Sequence, residues 1–116
     1  MNLDLFAGVR VSDLAAARPW YERLLGNDPS FLPNEIEAVW ALAEHQYLYL
    51  LEDPADAGSG LVTVMVDDLD ASGAAIAARG IEASERETYP GGARKATYRD
   101  ADGNEIGFAD VPPGTS

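Results

Sequence analysis

FAGVRVSDLAA, at residues 6–16, returns as LVTVMVDDLDA at 61–71, aligned without a gap at an offset of 55. Val9, Val11, Asp13, Leu14 and Ala16 recur as Val64, Val66, Asp68, Leu69 and Ala71. A repeat of this kind restricts the chain to copies of one supersecondary unit that bury their apolar faces together. Each copy opens with period-two alternation, the mark of a half-buried strand, and then passes through acidic residues into a helix-forming stretch. Ser12 or Asp13 in the first copy, and Asp67 or Asp68 in the second, suit the helix N-cap. The spacing predicts one helix over 13–25, stopped by Gly26, in which Pro19 removes a hydrogen bond. It predicts another over 69–79, rich in alanine and stopped by Gly80. Three strand-like stretches follow each helix, at 30–32, 36–43 and 47–52 and then at 81–88, 93–99 and 105–110. The fold class read from this order is α+β, with two tandem βαβββ units. Residues 1–53 form the first unit, 54–60 a linker punctuated by Pro and Gly, 61–111 the second unit and 112–116 a flexible tail.

Charge narrows the partners. The formal net charge is −12, with 8 basic against 20 acidic residues, which argues against nucleic acid, whose phosphates need clustered Lys and Arg. It also argues against an anionic membrane surface, and it favours cationic ligands through long-range attraction. No apolar run reaches the roughly 18 residues of a membrane span, and the first residues lack the pattern of a secretory signal. The chain has no cysteine, hence no disulfide, thiolate metal site or thiol nucleophile. A cytoplasmic location is the expectation.

VSDLAAARPWYERLLG in the first unit and YRDADGNEIGF closing the second, set in a duplicated βαβββ frame, resemble the vicinal oxygen chelate superfamily. That group includes glyoxalases, extradiol dioxygenases, fosfomycin-resistance enzymes and bleomycin-resistance proteins. The resemblance covers about residues 3–110 and implies a cup-shaped, mostly antiparallel sheet with the helices on its outer face. It also implies that metal-dependent relatives carry one ligand, usually His, Gln or Glu, on each of four strands. The matching positions here are Phe6, Tyr49, Leu61 and Gly107. Phe, Leu and Gly offer no side-chain donor and a neutral phenol is a poor one, so no metal or other cofactor is expected. A slip of register could bring in Glu52, but one carboxylate is not a site.

Strand alternation then leaves Phe6, Arg10, Tyr47, Tyr49, Leu61, Met65 and Glu105 facing the cavity, with Trp40 and Tyr98 assigned there by alternation alone. Such a lining suits stacking against a flat, partly apolar molecule, with cation–π attraction if the ligand is cationic. Arg10 could clamp a ligand carboxylate, or pair with Glu105 or with a second copy. Glu105 is either a buried general base or a plain surface carboxylate. The only histidine, His45, falls in a turn, and no nucleophile–base–orienter set is visible. The resemblance is closest in character to the metal-free bleomycin-resistance branch. It implies a metal-independent protein that binds a small molecule, and a homodimer. The alternatives are a lyase or isomerase of a small carbonyl compound using the same cup, and a non-catalytic scaffold whose cup is filled.

Overall fold

The computed structural model describes residues 2–112. Each half of the chain contributes one helix and one four-stranded mixed sheet, the α+β architecture expected from the repeat. In the first half β1 (Leu5–Val11) leads into α1 (Leu14–Leu25), then β2 (Phe31–Asn34), β3 (Glu37–Ala43) and β4 (Gln46–Glu52). In the second, β5 (Leu61–Met65) leads into α2 (Leu69–Ala78), then β6 (Glu85–Thr88), β7 (Arg94–Arg99) and β8 (Glu105–Asp110). The strand orders are β1-β4-β3-β2 and β5-β8-β7-β6, with the first pair of each sheet parallel and the others antiparallel. Of the tail, 113–116 lie outside the described residues.

The repeat extends to the way each helix is started. Asp13 caps α1 by accepting from Ala16 N–H, and Asp68 caps α2 by accepting from Ala71 N–H. A second carboxylate, at the end of each unit's last strand, accepts the first helical N–H. Leu14 N–H donates to Glu52 Oε2 at 2.9 Å, and Leu69 N–H donates to Asp110 Oδ2 at 2.8 Å. Glu52 is therefore committed to a helix N-terminus, where the helix dipole favours negative charge. Pro19 sits inside α1 without ending it, and Gly26 terminates that helix in the left-handed region at φ 80°.

Val9, Val11, Leu48 and Leu50 of the first sheet are buried together with Ala96, Ile106 and Phe108 of the second and with Leu14, Tyr21, Leu24, Leu69 and Ile76 of the helices. Both helix-facing surfaces thus share one core. Polar contacts tie the halves as well. Arg79, closing α2, donates to the Leu24 carbonyl at 3.0 Å and to that of Arg23, satisfying the end of α1. One strand is shorter than expected. Residues 81–84 run outside β6 because Ile81 is drawn into the core beneath α2, and pairing starts only after Ser84 N–H meets the Thr97 carbonyl.

Candidate functional site

The face of each sheet turned away from the helices carries the candidate ligand residues. On the first sheet Phe6 pairs with Tyr47, Gly8 with Tyr49 and Arg10 with Leu51, so these side chains share one surface. Phe6 and Tyr47 are stacked with ring centroids 4.4 Å apart and planes inclined by 11°, while Tyr49 meets Phe6 edge-on at 6.3 Å. Gly8 makes the arrangement feasible. A Cβ there would fall 2.7 Å from the Tyr49 ring, so only glycine lets that ring lie flat on the strand. Phe6 is 48% exposed, and the result is an aromatic shelf open to solvent.

On the second sheet Leu61 pairs with Glu105, Thr63 with Gly107 and Met65 with Ala109. Leu61 and Met65 are 71% and 61% exposed, far more than isolated core positions would be. Gly107 lies under the Lys95 side chain, whose Cε would sit 2.5 Å from a Cβ built there. Lys95 was missed in the sequence reading, although it stands two residues from Thr97, the partner of Gly107.

The charged candidates are engaged. Arg10 Nε lies 3.1 Å from Asp53 Oδ2, so its partner is neither Glu105 nor an unpaired ligand site. Glu105 accepts from Arg99 at 3.1 Å, and Arg99 also bridges to Glu85. Those carboxylates raise the Arg99 pKa further, the hydrogen bond to Glu85 contributing most. A carboxylate held by a guanidinium is not arranged as a general base. His45 occupies the β3–β4 turn at φ 64°, its ring against Asp4.

Two assignments need correction. Trp40 and Tyr98 do not line the open faces. Trp40 pairs with Leu48 and Tyr98 with Ile106, which puts both on the helix side, each only 1% exposed. Trp40 closes its polar end by donating Nε1–H to the Asn27 carbonyl at 2.9 Å. The physical reason for Trp40 is an irregularity between Ala41 and Ala43 that shifts the hairpin register by one residue. In their stead Val39 faces the aromatic side and Thr97 the other, both buried beneath longer neighbours.

Metal binding does not fit the donors present. Phe6, Leu61 and Gly107 supply none, and Glu52 is bound to α1. Among the described residues no three His, Cys, Asp or Glu side chains gather as a metal site would require. No described helix is long and apolar enough to cross a membrane.

Known proteins agree with this geometry. The family model for the Glyoxalase/Bleomycin resistance protein/Dioxygenase superfamily matches residues 3–108. A glyoxalase/bleomycin resistance protein from Catenulispora acidiphila DSM 44928 is 51% identical, over 96% of this chain and all of its own, with a TM-score of 0.92. A bleomycin-binding protein solved in complex with bleomycin shares 16% identity over 96% of this chain and all of its own, at a TM-score of 0.76. A lactoylglutathione lyase from Agrobacterium tumefaciens shares 19% over 95% of this chain and 94% of its own, also at 0.76. The last two likenesses are of fold alone. No protein of curated function matches the chain.

Proposed function

Because the chain belongs to the Glyoxalase/Bleomycin resistance protein/Dioxygenase superfamily, we propose that it is a metal-independent binding protein for a small, cationic, aromatic-bearing molecule. Units 1–53 and 61–111, joined by 54–60, supply the two walls, and a homodimer acting in the cytoplasm brings a first-unit wall against a second-unit wall.

The observation that carries this reading is the bare aromatic shelf of Phe6, Tyr47 and Tyr49, built where metal-dependent relatives would need ligands. Its stacked rings offer faces to a flat ligand, and a cation above them gains roughly 0.5–2 kcal/mol. The net charge of −12 steers such a cation inward. Lys95, across Gly107 on the other wall, confines the positive group to the aromatic side. Leu61 and Met65 give that other wall an apolar surface for the ligand body. A bleomycin-binding protein of the same fold supports this use of the scaffold. The engaged state of Glu105 weighs against the lyase or isomerase reading, and the exposure of Leu61 and Met65 weighs against a filled cup.

A thermal-shift screen tests the proposal, pairing cationic aromatic antibiotics with divalent metals and a chelator. A ligand at about 100 times its dissociation constant adds about 2.7 kcal/mol, on the order of 10 °C for a domain of this size. The expected result is a shift with a cationic aromatic compound that Tyr49→Ala removes. A shift with Ni²⁺, Zn²⁺ or Mn²⁺ that chelator reverses would overturn metal independence.

A further inference from the structure

The second unit contains a cleft beside α2. It lies on the helix side of the second sheet, where α2 leaves the edge strand β6 uncovered, and has a volume of about 410 Å³. That is within the range of small-molecule sites, roughly 300–1,000 Å³. Its helical wall is Leu69, Asp70, Gly73, Ala74 and Ala77, with Asp70 held by Arg94, and Glu87 stands on the strand side; of the helical residues, Gly73, Ala74 and Ala77 leave the most room. At the repeat offset of 55 these match Arg18, Pro19 and Glu22 of α1, where Arg18 and Glu22 form an ion pair at 3.3 Å.

Two polar groups, Arg86 and Tyr98, face this space. Arg86 pairs across the strands with Ala96, and Tyr98 follows two residues further along the same face, so both belong to the helix side with the cleft. Tyr98 is 1% exposed, and its hydroxyl lies at the cleft wall, 3.9 Å from a Cβ built at Gly73. Arg86 makes no ion pair among the described residues, unlike neighbouring Arg94, which is held by Asp70 and Asp110. Burial pushes the Tyr98 phenol up, an effect that Arg86 opposes and Glu82 reinforces, so at neutral pH it is a hydrogen-bond donor. A buried donor with an open space before it and a free guanidinium beside it match an acceptor that carries negative charge.

We infer that this cleft is a second binding site, separate from the aromatic shelf, for a small organic acid with a flat apolar body. Its carboxylate meets Arg86 and the Tyr98 hydroxyl, and its body lies along Gly73, Ala74 and Ala77. The site does not depend on the binding proposed for the open faces, and each can fail without the other.

Titration of the ¹⁵N-labelled full chain with 2-naphthoate, and with the uncharged 2-naphthamide, tests it by amide chemical shifts. Saturable shifts centred on Gly73, Arg86 and Tyr98 are expected with naphthoate. Arg86→Gln should weaken binding about tenfold, to the level of the amide on the unaltered protein. Gly73→Leu should abolish it by filling the cleft, since a side chain there meets only the Tyr98 hydroxyl, 3.9 Å from the Cβ position. Gly73→Ala should retain it, and a dispersed spectrum verifies that each variant is folded. No saturable shift up to about 10 mM, shifts centred on Phe6, Tyr47 and Tyr49, or equal binding by Arg86→Gln would each overturn the inference.

Discussion

Asn104 bonds in three directions from a position with no solvent exposure. Its side-chain oxygen accepts Gly60 N–H at 2.7 Å, and its amide nitrogen donates to the Arg10 carbonyl and to Asp100 Oδ2, each at 2.8 Å. Asp100 also receives the Tyr21 hydroxyl at 2.7 Å. Burial, followed by that hydrogen bond to Asp100, pushes the Tyr21 phenol far up, so it stays a donor at any accessible pH. One asparagine therefore joins the end of β1, the start of β5 and the β7–β8 turn, next to a tyrosine from α1. Asn104→Ala strands a part-buried N–H and a part-buried carbonyl, at about 1–3 kcal/mol for each group left unpaired. Urea unfolding should register a loss of about 3 kcal/mol, and a loss under about 1 kcal/mol would mean that water replaces the side chain. Asn104→Asp would set a second carboxylate against Asp100. Its loss should be larger at pH 7 and should shrink on acidification, as like charges raise one of the two carboxyl pKa values.

At the scale of elements, the second carboxylate at the start of α2, Asp110, predicts a pH response. Asp110 lies below the usual aspartate range because Arg94 bonds to it and, secondly, because Leu69 N–H does, with burial opposing both. Its folded pKa is thus lower than its unfolded one. The stability it adds is present above the unfolded pKa of roughly 3.9 and is lost as pH falls through the folded value. Asp110→Asn should therefore lower Tm clearly at pH 7 and progressively less below about pH 4, in melts read by circular dichroism. An equal loss at both ends of that range would remove the ion pair from the explanation. These pairs also show what the sequence could reveal. The repeat in FAGVRVSDLAA and LVTVMVDDLDA made the alternation of Val9 with Val11 legible and narrowed each cap to two neighbouring residues, of which the structure uses Asp13 and Asp68. It did not reveal that Glu52 and Asp110 would reach back to Leu14 and Leu69, since that contact depends on where each fourth strand ends. Trp40 was misplaced for a similar reason. A two-residue turn at Glu44–His45 with regular pairing would set Trp40 opposite Tyr49, facing outward from the helices. The irregularity after Ala41 sets it opposite Leu48 instead, and nothing in EAVWALAEHQ signals that extra residue. Tyr98 was recoverable, because Glu105 was read as facing the cavity, which turns its neighbour Ile106 to the helix, and the RDADGN turn pairs Arg99 with Glu105 and so Tyr98 with Ile106.

At the scale of the molecule, the two open faces need a counterpart. Phe6, Leu61 and Met65 present apolar side chains on sheets whose β1 and β5 edges are unpaired. Leu3 and Leu5, 72% and 68% exposed, add apolar residues along the β1 edge itself. A bare strand edge beside exposed apolar residues is a surface that natural proteins cover or blunt. The proposed homodimer covers it, and twofold symmetry makes each residue contribute twice. Burying one methionine side chain gives about 1.5–3 kcal/mol, so Met65→Glu should cost the dimer about 3–6 kcal/mol over both copies. That corresponds to a dissociation constant raised on the order of a hundredfold or more. Sedimentation velocity across a concentration series should find the unaltered protein dimeric and Met65→Glu monomeric. Because Met65 is widely exposed in the single chain, the variant should retain its Tm at low concentration. The thermal shift given by a cationic aromatic ligand should vanish with the dimer, since one wall of its site comes from the second copy. A monomeric unaltered protein at about 100 μM would overturn the dimer. A dimer that survives Met65→Glu would move the interface elsewhere, and retention of the ligand shift in a monomer would confine binding to the aromatic shelf of one chain.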